Sequence, residues 1–337
     1  MKVFVPGRPA KACSTWRCRD IFSNDRIVKS RRFKQVDVFT ATPYFGNPLA
    51  VILDGAGLDD ATMQRFARWT NLSETGFLLP PIDPLADYRV RIFTPGGELP
   101  FAGHPTLGSC HSWLQAGGQP RGDGFIVQEC GVGLIKIRCE QSGNGGQRLA
   151  FAAPPLKRSA ADPAWLVQVA AAMGLQPSQV LASQLLDNGP VWLALLLDSA
   201  ETVLRLTPDH SALAKLAVKV GVAARYAPEQ PPALISRGNR EARAFSLGDR
   251  QAPGPAPDLE VRAFAASMGI HEDPVTGSLH ASLAQWLIGE GYLPERYLAS
   301  QGVCLDRAGQ VYLARDAHDQ VWVGGESVTC IDGQVTL

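Results

Sequence analysis

Apolar and polar residues alternate along much of the first half of the chain in the way that strands require. Residues 33–39 alternate through FKQVDVF, and LAVIL at 49–53 is a short continuous apolar run. Half-buried strands alternate with a period of two, whereas fully buried strands are continuously apolar. Further strands, each broken by Gly, Pro or Asp, are predicted at GFLLP, YRVRIFT, GFIVQE, GLIKIRC and RLAFAAP. Strands therefore outnumber helices.

Helices are predicted where the apolar spacing changes to three and four residues. Asp59 or Asp60 can cap a helix over about 60–70, because a carboxylate accepts hydrogen bonds from the free N–H groups of a first turn. The buried face of this helix is made by Met63, Phe66, Ala67 and Thr70. Another helix is predicted between YRVRIFT and GFIVQE.

Two proline-containing starts predict helices in the second half of the chain. An Asp-Pro pair at 162–163 combines a capping residue with the proline that a first helical position accepts, and Gly174 ends that helix. A Thr-Pro pair at 207–208 repeats the device, with Gly221 as its end. The run VWLALLL between them predicts a buried strand.

A short element recurs at an offset of 169 residues, half the length of the chain. Residues 104–114, HPTLGSCHSWL, match residues 273–283, DPVTGSLHASL, at Pro, Gly, Ser, His and Leu. Each segment opens an apolar helix. The recurrence predicts two related halves that present the same loop and helix start.

The recurring element has the chemistry of an anion site. A helix N-terminus leaves backbone N–H groups unpaired and carries a partial positive charge, which favours carboxylates and phosphates. Gly108 and Gly277 would let a ligand approach, and Ser109 and Ser278 would add hydroxyl donors. Two such segments facing each other would bind one small carboxylate from both sides. The alternative is two ordinary capped helices in two cores.

Length and composition indicate a soluble chain of about two domains. The 337 residues are 45% apolar and 19% charged, near the globular average. No stretch approaches the roughly 18 to 20 consecutive apolar residues of a membrane helix, so no membrane association is expected.

The zero net charge conceals a basic N-terminus. Residues 1–32 carry a net charge of +7 and the remaining residues −7. An acidic body without a stripe of Arg and Lys does not predict nucleic-acid binding. The segment 1–32 lacks the apolar run of a secretory signal and is predicted to be a disordered basic extension. A basic arm for a partner and an organelle-targeting segment are the functional alternatives.

The cysteines and glycines argue against metal and nicotinamide sites. No pair has the Cys-x-x-Cys spacing, and the odd, dispersed set predicts reduced thiols and a cytoplasmic location. The glycines of GGELPFAGH do not follow a strand-to-helix dinucleotide pattern. The seven cysteines are Cys13, Cys18, Cys110, Cys130, Cys139, Cys304 and Cys330.

Several long motifs together resemble one family. They are QVDVFTATPYFGNPLAVIL, NLSETGFLLP, RIFTPGGELPFAGHPTLGS, DNGP at 187–190 and EDPVTGS at 272–278. In order and spacing they resemble the PhzF family of phenazine-biosynthesis isomerase-like proteins, from about residue 33 to 337. Residues 1–32 lie outside the resemblance.

The resemblance implies an α+β fold similar to that of diaminopimelate epimerase. Two similar domains, each a curled, mostly antiparallel sheet around a central helix, would enclose a cleft. The implied boundaries are 33–150 for the N-terminal domain, completed by the C-terminal strand 327–337, and 151–326 for the second domain. The helices after GHPTLGS and EDPVTGS would be the central helices. Family members are commonly homodimers.

The resemblance also implies an activity and its residues. The best characterised family activity is the isomerisation of a dihydro-hydroxyanthranilic acid by proton transfer, without a cofactor. The glutamate that carries the proton corresponds to Glu74, and the accompanying catalytic residues correspond to His104 and Asp273. We expect the small carboxylic-acid substrate to be bound by Gly103, Gly277, Ser278 and Asn188.

Burial beside the apolar residues around Glu74 would raise the pKa of its carboxyl, so that it can accept and return a proton. His111 and His280, one turn inside their helices, are predicted to be core histidines. The loop residues predicted to form the pocket wall are Tyr44, Phe45, Asn188 and Trp192.

Other functions remain open at this point. A two-thiol mechanism would need a second cysteine near EDPVTGS, and none lies between residues 140 and 303. Cys110 is predicted to be a buried small hydrophobe. A small-molecule-binding or regulatory protein with little turnover is one alternative to the isomerase. A lyase or hydratase that shares the first proton abstraction is another.

Overall fold

The computed structural model describes residues 29–122, 124–141, 146–227 and 255–337. Most of the predicted basic extension, residues 1–28, therefore lies outside the described residues. Its last residues do not, because the first strand begins at Ser30 rather than at residue 33. Arg31 is only 6% exposed, and its Nη1 donates to the carbonyl oxygens of Asp54 and Ala56. Residues 30–32 of the predicted extension thus pair in the sheet with β17.

The described residues contain seventeen strands and six α-helices. The strands are β1 (Ser30–Val38), β2 (Asn47–Ile52), β3 (Thr75–Leu79), β4 (Tyr88–Phe93), β5 (Glu98–Leu99), β6 (Ile126–Cys130), β7 (Gly133–Gln141), β8 (Gln147–Ala152), β9 (Lys157–Ser159), β10 (Val180–Asp187), β11 (Val191–Leu197), β12 (Val220–Arg225), β13 (Leu259–Ala265), β14 (Ile270–Asp273), β15 (Arg296–Gln301), β16 (Gly309–Arg315) and β17 (Val321–Thr336). The helices are α1 (Asp60–Thr70), α2 (Gly103–Gln115), α3 (Pro163–Ala172), α4 (Ala200–Arg205), α5 (His210–Lys215) and α6 (Gly277–Gly289).

The two halves of the chain repeat one pattern of strand pairing. In the first half, β1 pairs antiparallel with β2, β2 parallel with β3, and β3 antiparallel with β4. β4 then pairs parallel with β6, and β7 pairs antiparallel with both β6 and β8. In the second half β10 to β13, then β15, β16 and β17, follow the same sequence of orientations. The short strands β5 and β14 each pair with the strand before them. The predicted relation between the halves is confirmed at the level of topology.

The last strand closes the first half into a barrel. β17 pairs antiparallel with β8 and with β1, so the eight strands β1, β2, β3, β4, β6, β7, β8 and β17 form a closed ring. The same strand also pairs with β16, so it belongs to both halves. The fold is α+β, with each central helix packed against its curled sheet. The exact domain boundaries given above stay a prediction.

The central helices are buried over most of their length. α2 contacts β1, β2, β8 and β17, and α6 contacts β10, β16 and β17. A helix enclosed by a curled sheet has little solvent-exposed surface, so neither shows a strong separation of apolar and polar sides. Two hydroxyls of α2 are satisfied locally, because Thr106 donates to the Ala102 carbonyl and Ser112 to the Gly108 carbonyl. The third, on buried Ser109, has no hydrogen-bond partner among the described residues. Among the described residues, no helix has the length and hydropathy needed to cross a membrane.

Local signals predicted some helices correctly and others wrongly. α1 spans 60–70 as predicted, with the Asp59 carboxylate accepting from the N–H of Thr62, and α3 begins at Pro163 after the cap Asp162. The Thr-Pro pair at 207–208 does not begin a helix. α5 begins instead at His210, capped by Asp209, and the residue predicted to end the helix, Gly221, lies in β12.

Candidate active site

The first turns of the two central helices meet. A Cβ added to Gly277 would lie 3.2 Å from the Gly103 Cα and 3.2 Å from the His104 backbone nitrogen. A Cβ added to Gly103 would lie 2.7 Å from the Phe151 ring. Glycine at both positions allows this approach without displacing the neighbouring atoms. The free N–H groups of both helices are brought to one place, where the partial positive charges of two helix N-termini add.

The position of this junction corrects the alignment of the internal repeat. The repeat equated Gly108 with Gly277 and Ser109 with Ser278, and it placed the first central helix after GHPTLGS. The structure begins α2 at Gly103, so Gly108 lies in its second turn, where a Cβ would lie 2.6 Å from Leu49 Cδ2. Ser109 is fully buried. Gly108 serves close packing of α2 on the sheet, and the anion-site prediction for Gly108 and Ser109 is wrong.

Glu74 lies in the short loop between α1 and β3, at the edge of the junction. The loop follows Asn71, whose left-handed backbone, with a φ of 54°, ends α1. The Glu74 side chain is 16% exposed, and its buried Oε2 has no hydrogen-bond partner among the described residues. Burial raises the pKa of the Glu74 carboxyl from 4.5 to about 7, while a hydrogen bond with the Ser73 side chain opposes the rise.

His104, the second residue of α2, faces Glu74. Its Nδ1 lies 3.5 Å from Glu74 Oε2, and its buried Nε2 has no hydrogen-bond partner in the described parts of the chain. Burial lowers the pKa of His104 to about 4, against the opposing charge of Asp273 and the hydrogen bond with the Pro48 backbone. The imidazole is therefore neutral at pH 7. Considering only contacts with the described residues, Glu74 and His104 are the two predicted catalytic side chains that keep an unpartnered polar atom.

Asp273, the last residue of β14, is held by hydrogen bonds at both carboxylate oxygens. Oδ1 accepts from Asn47 Nδ2 at 3.1 Å, and Oδ2 accepts from the Thr276 hydroxyl at 2.5 Å. Thr276 Oγ1 in turn accepts from Gln301 Nε2 at 3.0 Å, which leaves its own hydrogen for Asp273. Burial and then the charge of Glu74 raise the pKa of Asp273 to about 6, whereas His104, Thr276 and Asn47 oppose the rise. At pH 7 Asp273 is mainly an oriented anion.

Ser278 and Asn188 lie together at the start of α6. Asn188 Nδ2 donates to the Ser278 carbonyl at 2.9 Å, and the Trp192 indole N–H donates to Ser278 Oγ at 3.2 Å. Since Oγ already accepts one hydrogen bond, the Ser278 hydroxyl can donate to a ligand. Asn188 is 7% exposed, and its Oδ1 has no partner in the described residues. One acceptor and one donor are thus held beside the junction.

Two of the residues predicted to line the pocket, Asn188 and Trp192, donate hydrogen bonds to Ser278. Tyr44 is 69% exposed and lines a cavity of about 500 Å³ together with Pro48, Leu72 and Arg307. The Arg307 Nη1 donates to the Tyr44 carbonyl.

The predicted core side chains have structural contacts. His111 Nε2 lies 3.0 Å from Thr329 Oγ1, and His280 Nε2 lies 2.9 Å from Gln301 Oε1. Burial lowers the pKa of both histidines to about 4. Cys110 is fully buried, and burial raises the pKa of its thiol. Within the described ranges, no three His, Cys, Asp or Glu side chains are grouped to hold a metal ion.

The residues that orient Asp273 were not predicted from the sequence. Asn47 lies in the motif QVDVFTATPYFGNPLAVIL, but nothing local to that motif shows that its side chain reaches Asp273, 226 positions away. Thr276 was visible within EDPVTGS. Gln301 carries no sequence signal that we recognise.

Comparison with known proteins places the chain among relatives of similar length. A family profile described as "Phenazine biosynthesis-like protein" matches residues 36–333. The Schizosaccharomyces pombe protein "Antisense-enhancing sequence 1" is 32% identical, over 90% of this chain and 97% of its own length. The trans-2,3-dihydro-3-hydroxyanthranilate isomerase of Pseudomonas chlororaphis is 30% identical, over 90% of this chain and 98% of its own length.

A solved structure has the same fold. The PhzF-family phenazine biosynthesis protein of Bacillus anthracis superposes with a TM-score of 0.73 at 21% sequence identity. The match covers 92% of this chain and 100% of the other. It supports the epimerase-like architecture derived above.

Proposed function

The chain belongs to the family of phenazine biosynthesis-like proteins and is an isomerase by class, and we propose that it moves a proton on a small carboxylic acid with Glu74 as both base and acid. Cofactor independence and a homodimeric state are parts of this proposal that rest on the family resemblance. A cytoplasmic location is a further part, which rests on the cysteine pattern. Neither nucleic acid nor a membrane is a proposed partner.

One observation carries the proposal. The unpartnered Oε2 of Glu74 is buried 3.5 Å from a neutral His104, beside the junction of two helix N-termini. A carboxyl whose pKa lies near 7 can accept a proton and return it at neutral pH with similar ease. An ordinary structural glutamate would instead be solvated or held in an ion pair.

The surrounding groups suit a carboxylate substrate. The backbone N–H groups at Gly103, Gly277 and Ser278, with the Ser278 hydroxyl, would bind the carboxylate. Asn188 Oδ1 would accept a hydrogen from a hydroxyl or amine of the substrate. The helix N-termini would also stabilise negative charge that develops when a C–H bond beside the unsaturated acid is broken.

The proton transfer follows from this arrangement. Glu74 removes a proton from one carbon and returns it to another on the same face, so the shift is suprafacial. His104, neutral and with Nε2 unpartnered, positions the substrate by hydrogen bonding. Asp273, held at both oxygens, orients the site rather than carrying the proton.

The test is hydrogen exchange in D₂O followed by NMR, with the wild type and Glu74→Gln side by side. The panel contains small unsaturated and amino carboxylic acids, including trans-2,3-dihydro-3-hydroxyanthranilate, the compound in the name of the P. chlororaphis relative. The matched control is Glu201→Gln, which changes an exposed glutamate paired with Arg205.

We expect exchange in the wild type and the control, and a loss of roughly 10²- to 10⁴-fold in Glu74→Gln. Normal exchange in Glu74→Gln contradicts the mechanism. Binding without exchange by the wild type would favour the binding-protein alternative, and release of water or an amine with exchange would favour a lyase.

A further inference from the structure

Asn47 links the two halves of the molecule through one side-chain amide. It is the first residue of β2 and is 1% exposed. Its Nδ2 donates to Asp273 Oδ1 at 3.1 Å and to the Val275 carbonyl at 2.9 Å. Both acceptors belong to the second half of the chain and immediately precede α6. Both hydrogens of the amide therefore bind groups on the far side of the cleft.

The contacts fix the orientation of this amide. Rotating it by 180° would place Oδ1 against the Asp273 carboxylate and the Val275 carbonyl, two groups that can only accept hydrogen bonds. In the observed orientation Oδ1 lies 3.5 Å from the Ser73 hydroxyl, next to Glu74 in the chain. One side of Asn47 thus faces the Glu74 loop and the other holds Asp273.

The approach of Asn47 depends on the glycine before it. A Cβ on Gly46 would lie 2.2 Å from the Val38 carbonyl oxygen, so no other residue fits without moving β1. The Gly46 N–H donates to the buried Asp37 carboxylate at 3.0 Å, which holds the loop before β2 in place. These contacts fix the position of the backbone from which the Asn47 side chain extends.

We propose that Asn47 is a positioning residue of the reaction, which holds the Asp273 carboxylate in register with Glu74 by bonding across the two halves. The inference deepens the proposed function and rests on it for the role of Asp273 in turnover. Asn47 is not proposed to touch the substrate.

If Asn47 holds Asp273, removing its side-chain amide should raise the pKa of Asp273, which a general loss of stability would not do. The ionisable side chains that act on Asp273 are Glu74 and His104, and its other hydrogen-bond donor is Thr276. Removing the Asn47 amide leaves these in place and withdraws one donor from the ionised carboxylate. A carboxylate that loses a donor binds its proton more tightly.

The first test is the titration of Asp273 in the ligand-free protein, followed by ¹³C NMR of its carboxyl carbon and assigned with Asp273→Asn. The variants are Asn47→Ala and, as a matched control, Gln128→Leu. Gln128 is also a fully buried amide with two side-chain partners, Thr106 and Tyr88, in the first half. We expect the titration midpoint of Asp273 to rise by about one pH unit or more in Asn47→Ala and to stay unchanged in Gln128→Leu. The same midpoint in both variants overturns the inference.

The second test measures kinetics. Its substrate is the carboxylic acid of the panel whose hydrogen exchange the wild type catalyses fastest. We expect kcat of Asn47→Ala to fall about 10- to 100-fold with KM little changed, because a displaced side chain impairs the chemical step more than binding. Wild-type kcat, or an equal loss in Gln128→Leu, overturns the inference. If no acid exchanges with the wild type, the proposed function fails, while the titration still decides whether Asn47 holds Asp273.

A third measurement covers the case in which Asn47→Ala does not fold. In the ¹⁵N-labelled wild type, the Asn47 side-chain amide resonance should move with pH at the Asp273 midpoint, and Asp273→Asn should abolish this movement. A resonance that does not respond to pH between 4 and 8 contradicts the inference.

Discussion

Glu74 Oε2 lies 3.5 Å from Nδ1 of His104, yet the two side chains do not form an ion pair at neutral pH. Burial raises the pKa of Glu74 to about 7 and lowers that of His104 to about 4, so each is shifted towards its neutral form. An ion pair would shift both in the opposite directions. Near neutral pH, therefore, Glu74 is the member of the pair that gains and loses a proton, while His104 stays neutral.

The pH dependence of turnover should follow Glu74. The base form is the ionised carboxylate, so kcat/KM for exchange should rise with pH through an apparent pKa near 7. His104 should add no titration above pH 5, because its pKa is about 4. The measurement is the exchange rate between pH 5 and 9 at substrate concentrations below KM. A profile that is flat from pH 5 to 8 would contradict the assignment of Glu74 as the base.

The free energy of unfolding should fall as pH rises through the pKa of Glu74, whereas kcat/KM should rise. The folded pKa of about 7 exceeds the unfolded value of 4.5, so the folded state holds the proton over this window and loses stability as pH rises through it. Relative to the wild type, Glu74→Gln should gain on the order of 3 kcal/mol in unfolding free energy between pH 4.5 and 8. Urea denaturation of both proteins at several pH values measures this. A difference that does not change with pH would show that burial does not raise the pKa.

The helix junction should not tolerate a side chain at Gly277. In Gly277→Ala the new Cβ would lie 3.2 Å from the Gly103 Cα, so the two first turns must move apart. We expect exchange to fall about 10²-fold and stability by roughly 1 to 3 kcal/mol.

The control for Gly277→Ala is Gly289→Ala, at the last residue of the same helix, where a Cβ meets no atom of the described residues within 4 Å. It should retain activity and be up to ~1 kcal/mol more stable, since alanine favours a helix over glycine. Thermal unfolding and the exchange assay compare the two variants, and equal effects would refute the junction argument.

Two truncations should differ in stability. Removing residues 1–32 deletes Ser30, Arg31 and Arg32 from β1, which pair with Gln334 to Thr336 of β17. Removing only residues 1–28 keeps these pairs. We expect the longer truncation to have the lower Tm, by roughly 2–4 °C for each kcal/mol lost. Equal Tm values would show that the start of β1 contributes little.

The sequence by itself determined the features whose causes are local. Helix α1 and its cap at Asp59 follow from side chains within eleven residues of each other, and strand VWLALLL follows from its own apolar run. The resemblance of the motifs to the family also pointed to Glu74, His104 and Asp273 as catalytic residues, which stays a prediction. The internal repeat correctly indicated two related halves.

Tertiary structure decided where those local features begin and what the side chains can do. α2 begins at Gly103 rather than after Ser109, because the glycine is required for contact with Gly277, a residue of the other half. The apolar neighbours of Glu74 in the sequence predicted its raised pKa, whereas the lowered pKa of His104 arises from a burial that no short segment reveals. Asn47 was missed for the same reason, because its partner Asp273 is 226 positions away and only the packing of the two halves brings them together.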